Sequence, residues 1–419
     1  MGPRGGVLCL WILSAACAAP PAPPTAAESA AAVRDALCRG HVDRAEALLQ
    51  GAVERDPEDP ALLAWSAAIH AMQWRDDLAA MEARRLLRGG RAADLGDLDG
   101  FLGDLLFAAG RYAESQAHLV AGARGRDRER RMALASLVVR LPARRRVAGP
   151  IATERHMEGG IVEIECSVGD RIRPFGIDTG TSMTTVTRSL ARELGCAEGI
   201  PAGFAVDAEG REIEVAATVL DPFSVGELDL GATPALVVED DAFSLRDEHG
   251  GAPRPMGGLL GLDVISLFRV TIDPARESVV LEMPRGLSLG DSVACLRSEG
   301  RCLVPVSIEG RDLWFVLDTG SNKSSLTESG LAELPGGAGR ASPGFHRVRS
   351  AGRTGLAVRE VRDLVLRVSG VRFRGVDLPV VARESRGLVP VHGVLGLDLL
   401  LSCRVILDGG RVRLDAPRN

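Results

Sequence analysis

The feature that most constrains this chain is that much of its second part is written twice. The stretch Phe175-Gly176-Ile177-Asp178-Thr179-Gly180-Thr181-Ser182 is matched by Phe315-Val316-Leu317-Asp318-Thr319-Gly320-Ser321-Asn322. Further on, Leu259-Leu260-Gly261-Leu262-Asp263-Val264-Ile265 is matched by Val394-Leu395-Gly396-Leu397-Asp398-Leu399-Leu400. Val270-Thr271-Ile272-Asp273 is then matched by Val405-Ile406-Leu407-Asp408. The three matches keep their order and nearly the same offset, and Asp273 follows Gly261 at the same distance as Asp408 follows Gly396. A lone D-T-G reads as a strand-end turn, where Asp and Gly are common. Two copies, each after an apolar run and each followed at a closely similar distance by apolar-apolar-Gly, define an internal duplication.

The two copies sit in a region of β character. Near Gly149-Pro150 helical periodicity gives way to short Val/Ile/Leu runs with alternation, separated by Gly, Pro and Asp turns. The expected units are 150–284 and 290–416. A pair of aspartates has a chemical logic that one lacks. One carboxylate cannot serve as general base and general acid in the same step. Two carboxylates brought about 3 Å apart cannot both ionise easily, so they share one proton. The ionised member can then take a proton from water while the other donates to a carbonyl oxygen.

On these residues the chain resembles the bacterial retropepsin-like aspartic peptidases, with two D-T-G-[ST] halves fused in one chain as in two-lobed pepsin-like enzymes. The resemblance covers residues 150–416 and implies two acid-protease β lobes forming a pseudo-two-fold domain. It implies Asp178 and Asp318 as one catalytic pair, without metal or organic cofactor. Thr179 and Thr319 would bond across the lobe interface. Gly180 and Gly320 would leave room beside the carboxylates, and the Thr181 and Ser321 hydroxyls would donate to their own half's Asp, which implies an acidic optimum. Leu260-Gly261 and Leu395-Gly396 would support the loops. An extended polypeptide substrate would lie in the cleft as an added strand, under flaps whose candidate turns hold Gly210 in the first half and Gly352 and Gly355 in the second. The flap Tyr of pepsin-like enzymes has no counterpart, because the only Tyr is Tyr112, far upstream. Asp263 and Asp398 read as helix N-caps, and Asp273 and Asp408 as hairpin turn residues.

Ahead of the lobes, residues 28–145 carry helical periodicity, as in Ala45, Leu49 and Ala52. Val42, Trp74 and Tyr112 recur at roughly regular intervals, each followed seven residues on by Leu49, Met81 or Leu119. This spacing resembles three degenerate tetratricopeptide-like (TPR-like) repeats. They read either as a docking surface for a protein partner or as a packing platform for the next domain. The overall expectation is a multidomain α plus all-β protein. Its rival readings are a catalytically silent peptide-binding module of the same fold, and an assembly protein in which the TPR-like docking repeats carry the function and the β halves pair between chains. A zymogen, with residues 28–148 over the cleft, is also compatible with the sequence.

Residues 1–18 have the order basic, apolar, small expected of a secretory signal, with Cys17 as a candidate lipidation site; residues 19–27 read as a Pro/Ala tether. An exported, periplasmic or envelope location follows as an expectation, with a lipid on Cys17 as the sole membrane attachment. Cys295 and Cys302, flanking the turn Arg297-Ser298-Glu299-Gly300, are the best candidates for a disulfide. The basic runs Arg124–Arg131 and Arg144–Arg146 read as solvated. Net charge is −6, which argues against a nucleic-acid partner. Lys323 is the only lysine, so phosphate-loop chemistry is excluded. No C-x-x-C or H-E-x-x-H occurs, so no metal site is expected, and the His residues read as surface or satisfied core.

Overall fold

The computed structural model describes residues 24–89, 97–139, 141, 162–196, 199–206, 212–240, 244–245, 254–255, 257–288, 292–298, 300–350, 353–382 and 387–416. The signal-like segment with Cys17, the run Arg144–Arg146 and the turn glycines Gly210 and Gly352 lie outside the described residues.

The N-terminal part holds seven described helices: α1 (Ala26–Cys38), α2 (Val42–Arg55), α3 (Pro60–Met72), α4 (Asp76–Arg88), α5 (Asp97–Ala108), α6 (Tyr112–Ala121) and α7 (Arg128–Val138). Thr25 and Glu28 cap α1 reciprocally, so residues 26 and 27 belong to this helix and not to a tether. Asp59 accepts from the Leu62 N–H with Pro60 at the first position, which starts α3. The turns before α2, α4 and α6 carry left-handed residues Gly40, Trp74 and Gly110, at φ 75°, 62° and 71°. The observed frame is therefore Gly40, Trp74, Gly110, two residues off the sequence frame in the second unit. Met81 is exposed for that reason, and Ala83 takes the buried place beside Leu49 and Leu119.

Trp74 tolerates a conformation that suits glycine because its indole is anchored elsewhere. Its Nε1–H donates to the Cys295 carbonyl at 3.0 Å. The Arg297 guanidinium lies 3.9 Å from the ring centroid and donates to both Asp76 oxygens, at 2.8 and 3.3 Å.

Each lobe is one sheet with the same strand order apart from an extra edge strand. Lobe 1 runs 163–168, 171–177, 258–260, 185–187, 228–238, 212–225, 200–206; lobe 2 runs 296–298, 301–308, 311–317, 393–395, 325–327, 371–381, 353–368, 342–350. A third sheet joins them, in the order 278–282, 269–273, 404–408, 411–415, 293–294. In its centre Thr271 pairs with Ile406, its own counterpart in the duplication, so the pseudo-two-fold passes between them. Through this sheet the two β halves of the chain pair with each other. Asp273 and Asp408 end their strands at hairpin turns.

Alternation sorts the strands into two faces. Ile177, Leu260, Leu317 and Leu395 enter the shared lobe core. Leu259, Val316 and Val394 point the other way, into two further cores that contain the helices. Helices α1–α5 share a core with Leu296, Leu303, Val316 and Val394 of lobe 2. Phe107, Tyr112, Leu134 and Val138 share one with Met183, Val215 and Leu259 of lobe 1. The helical region is a platform packed on both lobes.

Two local expectations are corrected. Arg130 and Arg131 are not simply solvated: both bind Asp104, at 3.0 and 2.9 Å, and Arg131 also reaches the Gly122 carbonyl at 2.7 Å. Cys295 and Cys302 are free thiols. Arg297, not Cys295, stands opposite Cys302, because the turn is shorter than the sequence suggested and places the two sulfurs diagonally. The Cys302 thiol is pushed up by its hydrogen bond to Cys295 and by burial.

Candidate active site

Each D-T-G loop hangs from the end of a central strand. The Asp178 N–H donates to the Leu260 carbonyl at 3.1 Å and the Asp318 N–H to the Leu395 carbonyl at 3.0 Å. Leu262 N–H returns to Thr181 O at 3.0 Å, and Leu397 N–H to Ser321 O at 2.8 Å. The apolar-apolar-Gly motif therefore brackets each loop from both sides. Gly261 and Gly396 are required by the close approach, since a Cβ there would stand 2.4 Å from Met183 C and 2.6 Å from Lys323 C.

The threonines interlock. The Thr179 N–H donates to Thr319 Oγ1 at 3.1 Å, and the Thr319 N–H to Thr179 Oγ1 at 3.0 Å. Each hydroxyl then donates across the interface, Thr179 to the Leu317 carbonyl and Thr319 to the Ile177 carbonyl, both at 2.7 Å. Both residues are fully buried. This exchange brings Asp178 and Asp318 together, buried and hydrogen-bonded side chain to side chain.

The glycines make that meeting sterically possible. A Cβ on Gly180 would stand 2.4 Å from the Asp318 carboxyl carbon, and one on Gly320 would stand 2.4 Å from an Asp178 oxygen. Each glycine makes room for the carboxyl of the other half. Each also donates its N–H to its own half's Asp Oδ1, Gly180 at 2.8 Å and Gly320 at 2.9 Å.

Burial, then the neighbouring Asp318 charge, pushes Asp178 from 3.8 up to about 8; the Gly180 N–H opposes this. The two carboxyls are close enough to titrate as a unit. The expected hydroxyl donation by Ser321 is not observed, because that hydroxyl donates to the Lys323 carbonyl at 3.0 Å. On the lobe 1 side the Thr181 backbone N–H faces Asp178. The Ser321 hydroxyl therefore gives no support to an acidic optimum.

Residues 164–264 and 304–399 each match the family model described as aspartyl protease. The two matched segments are the two lobes. No curated protein matches the chain. A retropepsin-like aspartic protease of Rickettsia conorii matches at 21% identity, over 32% of this chain and 98% of that chain, with a TM-score of 0.24. That overlap is too slight to bear on the fold. The family matches support a protease-like function for the paired lobes.

Asp263 and Asp398 are not N-caps. Gly261 and Gly396 occupy the cap positions of the short helices Leu262–Ile265 and Leu397–Leu400. Asp263 Oδ1 accepts from the Thr184 N–H and hydroxyl at 2.8 and 3.0 Å, and Asp398 Oδ1 from those of Ser324 at 2.7 and 2.6 Å. The Gly396 N–H closes the lobe 2 network on the Ser324 hydroxyl at 2.9 Å. Thr184 and Ser324 were not singled out from sequence, although the duplication contains the signal: a hydroxyl six residues after each D-T-G Asp, matched by an acid after each Gly.

Gly355 lies in strand 353–368, opposite Val348 in the lobe 2 hairpin. Gly210 and Gly352 lie outside the described residues. Among the described residues no three acidic, His or Cys side chains form a metal cluster.

Proposed function

We propose that the chain is an aspartic-type peptidase that hydrolyses peptide bonds with one water, activated by Asp178 and Asp318 acting as a single group. The observation that carries this is the meeting of the two buried carboxyls, each seated against the other half's glycine. The ionised carboxyl takes a proton from water, which attacks the scissile carbonyl. The protonated carboxyl donates to the carbonyl oxygen and stabilises the tetrahedral species. Because Asp178 keeps its proton to about pH 8, the one-proton form persists at neutral pH. Activity on the alkaline side is then lost as pH rises through that value. Thr179 and Thr319 set the distance between the loops, and Asp263 and Asp398 hold each loop from behind. We infer export from the basic, apolar, small order of the N-terminal segment, with lipidation at Cys17 as one form of it.

The test is cleavage of a diverse peptide mixture by the purified protein, read by mass spectrometry across acidic to weakly alkaline pH. Asp178→Asn and Asp318→Asn run beside it. Cuts present in wild type and absent from both variants support the shared pair. Cleavage that survives in either variant contradicts it.

A further inference from the structure

The flap hairpins of the two lobes carry the same irregularity. In lobe 1 the pairing of strands 200–206 and 212–225 slips between Pro201 and Phe204, and in lobe 2 that of strands 342–350 and 353–368 slips between Pro343 and His346. The two prolines therefore correspond, as do Gly203 and Phe345, Val215 and Val358, and Ala217 and Glu360. In lobe 1 this surface is covered. Helix α7 packs on strands 200–206 and 212–225. Ala202, Val215 and Ala217 are buried in the core that α7 shares. Gly203 leaves room for Glu129 of that helix, since a Cβ there would stand 3.1 Å from Glu129 Oε2.

On lobe 2 the helices bury Val316 and Val394 of strands 311–317 and 393–395, yet the hairpin surface stays open. Phe345 is 76% exposed and Val358 58%, against 3% for Val215. Their surroundings have changed character as well. Where lobe 1 has Ala217, lobe 2 has Glu360, whose carboxylate accepts from His346 and Arg362. Arg359 pairs with Glu328. Two large apolar side chains thus stand in water within a basic rim, on a surface whose counterpart in the same chain is sealed by a helix.

We propose that this surface of the lobe 2 hairpin, around Phe345 and Val358, docks an amphipathic helix of net negative charge on a partner protein. The inference goes beyond the peptidase reading and does not depend on it. Charge selects the sign. In lobe 1 the hairpin strands contain Glu212, Glu214 and Asp221 and no basic residue, and the helix that covers them opens Arg128-Glu129-Arg130-Arg131. The lobe 2 strands invert this, with six Arg against Glu360 and Asp363. Arg347 is exposed, and the Arg362 side chain is 62% exposed. The edge selects a helix over an added strand. Pro343 has no N–H to offer, and the slip beside it interrupts the ladder, two features that blunt a sheet edge. A second copy docking through the same face would set one basic hairpin against another, which disfavours self-pairing.

The experiment selects, on full-length Asp178→Asn protein, from a display library of amphipathic helical peptides with randomised charge; the substitution spares the peptides from cutting. Enriched sequences should be net acidic. Their Kd, read by fluorescence anisotropy, should rise about tenfold with Phe345→Ser and with Val358→Ser. It should not change with Phe204→Ser, at an exposed position of the lobe 1 hairpin. All three side chains are exposed, so circular dichroism should stay native. Hydrogen exchange should slow at strands 342–350 and 353–368 when peptide is bound. Failure to enrich any peptide, enrichment of basic or neutral helices, or a Kd indifferent to Phe345→Ser and Val358→Ser overturns the proposal. So does dimerisation of the peptide-free protein that Phe345→Ser abolishes, since a second copy would then be the occupant.

Discussion

Replacing Asp178 with Asn should make the protein more stable at neutral pH. In the folded chain Asp178 keeps its proton to about pH 8, against an ordinary value of 3.8. A raised carboxyl value means that the native state binds more protons than the unfolded state between those limits. Stability is therefore fully present below 3.8 and declines as pH rises toward about 8. From 3.8 to pH 7 is about 3 pH units, each worth about 1.4 kcal/mol, so the ionisation of this one group in the unfolded chain costs the fold about 4 kcal/mol. Asparagine has nearly the same shape and does not titrate. Urea unfolding of wild type and Asp178→Asn, at steps from acidic to neutral pH, reads the difference. The two free energies should diverge with pH, the variant being the more stable by several kcal/mol at pH 7. Parallel curves would refute the claim that Asp178 is buried beside a second carboxyl and held protonated.

Other outcomes follow from the same geometry. Gly180→Ala places a Cβ 2.4 Å from the Asp318 carboxyl carbon, so peptidase turnover should fall about 10²-fold or more while circular dichroism stays native. Thr179→Val leaves the buried Thr319 N–H without its acceptor and should cost about 2 kcal/mol by denaturant unfolding; Thr179→Ser should restore most of it. Asp76→Ala leaves the buried Arg297 guanidinium without its carboxylate partner and should cost about 3 kcal/mol, read as a lowered Tm. Cys38 is exposed and should react quickly with a thiol reagent in the native protein, whereas buried Cys302 should react only on unfolding.

What the sequence made legible was the part that occurs twice. Each D-T-G alone is an ordinary turn, but the matched offsets identified the paired aspartates, the interlocking threonines and the supporting glycines together. The roles of Asp263 and Asp398 were masked by a local rule. An Asp at the start of a short helix resembles a cap, and its real partners, Thr184 and Ser324, lie far back in the chain, beside the D-T-G loops. Trp74 misled the repeat frame because a tryptophan occupies a backbone conformation that its neighbours give to glycine, a cost offset by contacts with Cys295 and Arg297 in the other domain. The cover on lobe 1 was invisible for a related reason. Leu134 and Val215 are both ordinary apolar residues, and nothing local says that they meet.

The central claim is that one chain builds one catalytic pair. The most direct test is to co-express Asp178→Asn and Asp318→Asn chains and measure peptide cleavage by the mixture. The shared sheet centred on Thr271 and Ile406 predicts no activity, because every molecule then carries one carboxyl. If lobes paired between chains, about a quarter of the sites would regain both aspartates by random assortment. Recovery of activity near that fraction would contradict the account.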